Sequence, residues 1–381
     1  MKKVAIIGAG ISGLFIANLL KRNPNYQITI YEKSNSISLE EGYGIQLSVN
    51  SVKLLNQIEF DKFNNDKKFN PNKINFYSNN NSEKICELDI SNFNSDDCKY
   101  TTLKRSDLIH FLKKDIEDLI KTNHSILNIN QENQKVQLTF DNKKFFECDY
   151  LIISDGIFSK CKNLISNNKT NPKYNNTIAI RGTISNSSKI IDNKNIMLFL
   201  DSNFHQVIYP ISPNGDFNFI AIMKYTPSSE DLENYSLFSD DSFINKILEN
   251  VPQKSKKFFD NIKDLKIFPV FVSNNFFEIK NKNIYLIGDA FFAFPPSFAQ
   301  GASQSIEGAY ELFKCLENNT ENYFFKNRTS KSKMVNVRSK LNQFAFHLSN
   351  PFAIFFRNIF LKRLVKNRKF LEHYLGKIYK D

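Results

Sequence analysis

Near its N-terminus the chain carries a strand, a glycine-rich turn and a helix in an arrangement that few folds can accommodate. Residues 3–7 form an apolar run typical of a buried strand, and Gly8-x-Gly10-x-x-Gly13 then opens a helix predicted to end near residue 21. In this motif the first glycine makes the tight turn, the second admits a pyrophosphate, and the third lets the helix lie close to the strand. A second strand over residues 27–31 delivers Glu32, which can accept from a ribose hydroxyl. The pattern predicts a dinucleotide-binding unit.

A second strand-to-helix connection lies late in the chain, in residues 283–309. Apolar residues 284–287 predict a buried strand ending at Gly288-Asp289, and the two prolines at 295 and 296 exclude a helix before about residue 299. A helix beginning near Ala299-Gln300-Gly301 presents free N–H groups and a partial positive charge to an anion or a polarised carbonyl. An ordinary connection without a ligand is the alternative interpretation.

Glycine is scarce, and its distribution marks further motif segments. Nine of the 12 glycines fall in motif stretches, at positions 8, 10, 13, 42, 44, 156, 288, 301 and 308. One such stretch, residues 149–159, reads as a buried strand ending at Asp155-Gly156. Arg105 stands just ahead of a predicted helix, capped by Ser106 or Asp107, and is placed to reach a phosphate or a ring edge. A surface arginine is the alternative.

The middle of the chain predicts a sheet of its own. Residues 177–184, 195–200, 204–209 and 217–223 are β-like segments in succession, which favours a mainly antiparallel sheet in a second domain. Residues 64–81 are polar and rich in asparagine, which predicts surface, and residues 276–279 are a further apolar run. Three candidate substrate-contacting residues lie on the predicted strands: Arg181, His205 and Tyr209. A purely structural role is the alternative for each of them.

The composition excludes several classes of function. The five cysteines are scattered without a CxxC pair and the five histidines show no ligand spacing, which disfavours a metal site and indicates a reducing, cytoplasmic compartment. No apolar stretch approaches the roughly 18–20 residues that a spanning helix needs. Residues 323–381 hold 14 lysines and arginines against Glu372 and Asp381, which accounts for the whole net charge of +12. A nucleic-acid-binding body is therefore not expected.

The basic C-terminal segment is also rich in aromatic residues. Residues 344–361 are aromatic-rich, and Pro351 is predicted to divide them into two short helices before a strongly basic stretch. One interpretation is a lid packed over the dinucleotide-binding unit, with its cations solvated or paired with acidic residues elsewhere. The other is peripheral contact of residues 344–380 with anionic lipid at the inner face of the membrane.

The three motifs, in this order, resemble the fingerprints of class A FAD-dependent aromatic monooxygenases. This is the fold of p-hydroxybenzoate hydroxylase, with salicylate, 3-hydroxybenzoate and ubiquinone-pathway hydroxylases as the most similar branches, and the resemblance extends to about residue 330. It implies an α/β fold: a Rossmann-like FAD-binding domain (residues 1–70, 101–175 and 271–325), an interleaved, mainly antiparallel β-sheet substrate domain (71–100 and 176–270) and a C-terminal helical tail (326–381).

The resemblance also implies which residues hold the cofactor. The implied FAD-binding residues are Gly8, Gly10, Ile11, Ser12, Gly13, Glu32, Lys33, Gln46, Arg105, Asp155, Gly156, Gly288, Asp289, Pro296, Gln300, Gly301 and Ala302. The chain departs from the family pattern at three positions. Phe292 stands where histidine is frequent, Lys162 where arginine is usual, and Ala299 where glycine is common.

The implied reaction is hydroxylation of a phenolic or other small aromatic substrate. NAD(P)H reduces FAD, O2 adds to give a flavin hydroperoxide, and its distal oxygen attacks the ring. His205 and Tyr209 are the candidate acid–base pair, and Arg181 completes the candidate catalytic set. The alternatives are a dehydrogenase or reductase on the same flavin fold, a membrane-associated ubiquinone-biosynthesis hydroxylase, or a membrane-binding protein whose flavin site has decayed.

Overall fold

The computed structural model describes residues 1–37, 43–166, 171–185, 192–228, 231, 235–279 and 283–379. Gly42, one of the motif glycines, lies outside these residues. The described α-helices are α1 (Ile11–Leu20), α2 (Val49–Leu55), α3 (Arg105–Lys113), α4 (Lys160–Ile165), α5 (Asp241–Glu249), α6 (Gln253–Phe259), α7 (Gly301–Asn318), α8 (Glu321–Phe346), α9 (Pro351–Leu364), α10 (Arg368–Leu371) and α11 (Lys377–Tyr379).

The first layer is a parallel five-stranded sheet. The first twelve strands of the chain are β1 (Lys2–Ile7), β2 (Tyr26–Tyr31), β3 (Gly44–Leu47), β4 (Lys68–Phe69), β5 (Lys73–Ser78), β6 (Lys84–Asp89), β7 (Thr101–Lys104), β8 (Ile120–Lys121), β9 (Ile126–Glu132), β10 (Lys135–Phe140), β11 (Phe145–Cys148) and β12 (Tyr150–Ile153). With β18 (Ile284–Leu286), the sheet order is β18-β12-β1-β2-β8. The three motif strands β1, β12 and β18 are therefore neighbours, so their loops meet at one edge.

The second layer is a mixed seven-stranded sheet in which most neighbours are antiparallel. It adds β13 (Lys173–Ser185), β14 (Ile196–Asp201), β15 (Phe204–Pro210), β16 (Asp216–Lys224) and β17 (Ile262–Val272) in the order β17-β13-β16-β15-β14-β5-β6. One face packs on α5 and α6, and the other packs on the C-terminal helices. Two three-stranded sheets, β11-β10-β9 and β3-β7-β4, complete the fold.

The predicted fold class is confirmed: the chain folds as an α/β protein with a Rossmann-like sheet, a second sheet and C-terminal helices. The domain boundaries stay a prediction. Two local predictions are wrong. Residues 64–81 are not only surface, because β5 lies inside the seven-stranded sheet with Phe76 buried. Helix α3 begins at Arg105 and has no side-chain cap from Ser106 or Asp107. The apolar residues 276–279 lie outside the sheets, and Phe276 stacks on Phe292.

The C-terminal helices form a layer on the seven-stranded sheet. Pro351 starts α9 as predicted, but the preceding helix is not short, because α8 runs for 26 residues. Val335, Phe346 and Ile378 are buried against the sheet, in one apolar cluster with Leu198 and Tyr209. Within the described residues no helix is both long and apolar enough to cross a membrane.

Candidate active site

The glycine turn after β1 is held by close backbone contacts. Gly8 has a φ of +102°, and a Cβ there would lie 2.6 Å from the Ser154 carbonyl oxygen. A Cβ on Gly13 would lie 2.2 Å from the Gly8 carbonyl oxygen, so only glycine allows α1 to approach the turn this closely. Glu32 accepts hydrogen bonds from the backbone N–H of Ala9 (2.9 Å) and of Ser34 (3.0 Å). Its carboxylate therefore fixes the turn as well as the end of β2.

Other motif glycines face open space instead of protein. A Cβ on Gly10, Gly156 or Gly301 would meet no protein atom within 4 Å. Gly10 is the N-cap of α1 and Gln300 is the N-cap of α7, and neither helix start is capped by a side chain of the described chain. The two helix starts therefore offer unsatisfied N–H groups beside unfilled space, which is an anion-binding arrangement.

The turn after β18 contacts the start of α1 and leads along the chain to the start of α7. Gly288 has a φ of +60°, and a Cβ there would lie 2.5 Å from the Ser12 hydroxyl oxygen at the start of α1. Asp289 follows Gly288 in the chain. It lies deep in the molecule, and its side chain is exposed to the cavity described below. Burial raises the pKa of this carboxyl to about 6, and the positive charge of Arg105 opposes that shift. The pair provides an acceptor and a cation at the same edge of the sheet.

The three departures from the family pattern lie in, or against, the segment between this turn and α7. Ala299 adopts φ +51°, the left-handed region that favours glycine, and so occupies the conformation that the family's common glycine suits. Phe292 stacks on Phe276 with ring centroids 4.3 Å apart. Lys162 is buried, its Nζ donates to the Ala290 carbonyl oxygen (3.3 Å), and burial lowers its pKa. Phe292 and Lys162 therefore pack beneath the loop and support it.

A cavity of about 970 Å³ lies between this loop, the seven-stranded sheet and the C-terminal helices. Its polar end includes Asp289, Gln300, Gln46 and Arg181. Gln300 is buried, and its side-chain Nε2 has no hydrogen-bond partner within the described residues. A buried amide donor left unpaired beside a cavity is the expected signature of a polar ligand group. The remaining lining is mostly aliphatic and aromatic.

Residues 1–321 match the protein family described as "FAD binding domain". The chain belongs to that family. The resemblance to class A flavoprotein monooxygenases is confirmed, and this member of the FAD-binding family is an FAD-dependent oxidoreductase of the monooxygenase type.

Similar proteins span nearly the whole chain. The 6-hydroxynicotinate 3-monooxygenase of Bordetella bronchiseptica is 21% identical over 391 residues, which cover 96% of this chain and 98% of that protein. The salicylate hydroxylase of Pseudomonas putida is 21% identical, over 82% of this chain and 77% of that protein. The structure of Klebsiella pneumoniae HpxO complexed with FAD and uric acid is similar at a TM-score of 0.86 with 15% identity, covering 99% of this chain and 96% of that chain.

The residues at the edge where β1, β12 and β18 end fit FAD. The open space at Gly10, Gly156 and Gly301, the two uncapped helix starts and the unpaired Gln300 amide are what a dinucleotide with a polar ring requires. The structure places the other predicted cofactor residues at or near this edge. Ile11 and Ser12 open α1, Pro296 and Ala302 line the cavity, and Lys33 is exposed beside Glu32.

The predicted substrate residues line the cavity on the sheet side. The Arg181 guanidinium carbon lies 5.9 Å from the Tyr43 ring centroid and 6.0 Å from that of Phe268. Tyr209 is buried beside the side chains of Gln46 and Asn218, and burial raises its pKa. His205 is also buried, and its Nδ1 lies 2.7 Å from His347 Nε2. Burial and the neighbouring His347 hold the pKa of His205 well below its ordinary value.

Several residues at the site were missed by sequence reasoning. The Tyr100 hydroxyl donates to Gln46 Oε1 (2.7 Å), and the Gly44 N–H donates to Asn218 Oδ1 (2.6 Å). The second contact joins β3 to the seven-stranded sheet. His347, on the C-terminal helices, contacts a predicted substrate residue. Gly44 lies in one of the glycine-containing stretches of the sequence, so it was the available signal for Tyr100 and Asn218. Nothing in the sequence pointed to His347.

The histidine pair predicts a loss of stability in mild acid. Burial, aided by Lys224, lowers the pKa of His347 to about 4, from 6.5 in the unfolded chain. Between these values the unfolded state binds a proton that the folded state does not, so the free energy of unfolding falls as pH falls from about 6.5 to about 4. The His347 contribution is at most about 3 kcal/mol.

We expect His347→Gln to flatten this part of the curve of unfolding free energy against pH, measured by denaturant titration. Asp289, whose pKa is raised to about 6, has the opposite pH dependence but is the same in both proteins, so it cancels in the comparison. The control is His110→Gln on the exposed side of α3. Equal pH dependence in the wild type and His347→Gln would contradict the prediction.

Proposed function

We propose that this protein hydroxylates a phenolic or other aromatic substrate with O2 and NAD(P)H. The supporting observation is the cavity that extends from the flavin-binding loop to an apolar wall formed by the seven-stranded sheet and the C-terminal helices. The chemistry that FAD supplies when bound is acceptance of a hydride and activation of O2. The protein contributes binding, orientation of the ring and exclusion of water.

The cofactor residues are proposed with separate roles. The starts of α1 and α7 would hold the pyrophosphate and a polar edge of the flavin ring through backbone N–H groups. Glu32 would accept from the adenosine ribose while keeping its bonds to the turn. Asp289 would accept from the ribityl chain, and Arg105 would keep that carboxyl ionised. The Gln300 amide would donate to the ring.

Tyr209, His205 and Arg181 are proposed to contact the substrate. Because burial raises the Tyr209 pKa, this side chain is a neutral hydroxyl at pH 7, able to pass a hydrogen bond between the substrate and Asn218 or Gln46. His205 is neutral at pH 7 because burial lowers its pKa, and its ring nitrogens accept or donate a hydrogen bond. Arg181 supplies the positive charge that favours a phenolate over a phenol.

The substrate is proposed to carry an apolar substituent. Beyond the polar end, the cavity is lined by apolar side chains of the sheet, such as Ile74, Phe76 and Leu198, and of the C-terminal helices, such as Phe360 and Leu364. A small hydroxybenzoate would leave this wall in contact with water, whereas an alkyl or aryl substituent would cover it. A substrate screen would identify the substituent.

The test is the visible spectrum of the purified protein under anaerobic conditions, before and after NAD(P)H and with a panel of phenols that differ in apolar substituents. We expect a yellow protein whose flavin bleaches much faster with one class of phenol, and a hydroxylated product after O2 is admitted. Substrate oxidation that proceeds equally well without O2 would instead support a dehydrogenase. A colourless protein unable to take up FAD would exclude both enzymes.

Contact of residues 344–380 with a membrane surface is also retained as a proposal. Such contact would suit a substrate that partitions into lipid, and it is also compatible with a water-soluble phenol. The observation that favours it is the exposure of phenylalanine side chains on the C-terminal helices.

A further inference from the structure

The C-terminal helices expose a group of large apolar side chains, which we call the phenylalanine rim. Its members are Leu341, Phe344, Phe352, Phe355, Phe356 and Phe360, and each side chain is between 52% and 77% exposed. Single exposed apolar residues are ordinary, but six on two consecutive helices form a patch of the kind that marks an interaction site. We therefore expect a partner to cover the rim.

The rim is continuous with the substrate cavity. Leu341, Phe344, Phe356 and Phe360 line the cavity and are also exposed on the outside. Phe352 and Phe355 lie on the outer face of α9 and do not line it. The cavity mouth is thus bordered by apolar side chains, so whatever covers the rim also stands at the entrance to the site.

The outer face of α9 changes from aromatic to cationic along its length. At helical spacing, Phe352 and Phe355 are followed on the same face by Lys362 and Arg363, and Lys366 lies two residues past the end of the helix. These three cations are exposed, as are Arg368 and Lys369. Within the part of the chain that the structure describes, none of the five takes part in an ion pair. We call these five residues the basic cluster.

Other cations of the C-terminal segment have internal partners. Arg338 donates to the His373 carbonyl oxygen (3.0 Å) and Arg357 donates to that of Ala345 (3.2 Å). Lys331 donates to the Lys377 carbonyl oxygen (2.9 Å). Some cations of the segment therefore stabilise the fold, whereas the members of the basic cluster face solvent.

We propose that the phenylalanine rim and the basic cluster dock the protein onto an anionic lipid bilayer, from which the apolar aromatic substrate enters the cavity. Exposed aromatic side chains insert at the acyl boundary, and cations beside them pair with lipid phosphates. The surface has both features on one helix face and has the substrate cavity behind it. The docking step stands by itself, whereas substrate entry from the bilayer rests on the proposed function.

The test is sedimentation of the full-length, FAD-loaded protein with phosphatidylcholine vesicles, with and without phosphatidylglycerol. We expect binding to the anionic vesicles that weakens as salt is raised. K362Q/R363Q/K366Q should weaken that binding by about 100-fold, since each cation near the surface contributes about 1 kcal/mol. F352S/F355S should weaken it by at least about 10-fold, through lost burial of apolar area.

The matched control is K254Q/K256Q/K257Q, which removes the same charge from α6 on the opposite side of the seven-stranded sheet. It should bind vesicles like the wild type. Thermal unfolding establishes that each variant is folded, and bleaching of the flavin by NAD(P)H with a water-soluble phenol should be unchanged in all of them. Failure of bleaching in the wild type would count against the proposed function and leave docking standing.

Two results would overturn the inference. One is a wild-type protein that stays in the supernatant with both kinds of vesicle. The other is sedimentation velocity showing a dimer that F352S/F355S converts to a monomer, with no vesicle binding, because the rim would then be covered by a second copy of the chain.

Discussion

Replacing Gly10 with valine is expected to yield a folded protein that binds FAD about 100-fold more weakly, because overpacking a filled site costs up to about 3 kcal/mol. The backbone of Gly10 is extended, with φ −85° and ψ −175°, which a β-branched residue adopts readily. A Cβ there meets no protein atom within 4 Å, so the new side chain projects into the space proposed for the pyrophosphate. The measurements are the ratio of flavin absorbance to protein and the affinity of the apoprotein for added FAD.

Gly13→Ala provides the contrasting control for this prediction. Its Cβ would lie 2.2 Å from the Gly8 carbonyl oxygen and 2.5 Å from the Ser154 hydroxyl oxygen, so this smaller substitution should lower the melting temperature of the apoprotein. Gly10→Val should leave that temperature close to the wild-type value. A Gly10→Val protein that retains FAD with wild-type affinity would show that the cofactor does not pass over the start of α1.

The cofactor edge of the fold was predictable because its determinants are local. In the turn after β1, Gly13 packs against Gly8 and Ile6, which are close in sequence, and the more distant contacts are with Ser154 and Asp155, which belong to another of the three motifs. Apolar runs ending in an acid or a glycine mark the three motif strands, and parallel sheets place such strand ends at one edge. Spacing along the chain was therefore enough to predict which loops meet.

The substrate side depended on pairings that spacing does not encode. Strand β5 is polar in composition, but its register with β14 places Phe76 in the core. The bond between His205 and His347 joins positions 142 residues apart, and neither histidine has a distinctive neighbourhood in sequence. Residues 276–279 are an apolar run whose packing partner the sequence does not identify, and Phe276 stacks on Phe292 of the loop after β18. Packing between distant segments decided each of these cases.

Replacing Arg328 with methionine is expected to lower the free energy of unfolding by about 3 kcal/mol, the lower end of the usual cost of breaking a buried ion pair, because Glu307 keeps a longer contact with Lys331 (3.7 Å). Arg328 is 3% exposed and donates to Glu307 Oε1 (3.1 Å) and to the carbonyl and side-chain oxygens of Gln304 (2.9 and 2.7 Å). Gly308 makes this possible, since a Cβ there would lie 2.9 Å from Arg328 Nε. The measurement is denaturant unfolding of the apoprotein at pH 7.

Two variants separate the buried charge from side-chain packing. Arg328→Met combined with Glu307→Gln removes both charges of this pair and should recover part of the loss, whereas Lys62→Met removes an exposed cation paired with Glu59 and should leave the free energy of unfolding close to the wild-type value. Glu307 also accepts from the Asn50 side chain (2.8 Å). Because this network fixes α7 against α8, Arg328→Met should also weaken the binding of FAD at the contacts proposed for Gln300 and Gly301, about one turn from Gln304. A stability loss below about 1 kcal/mol would mean that the network contributes little to holding α7.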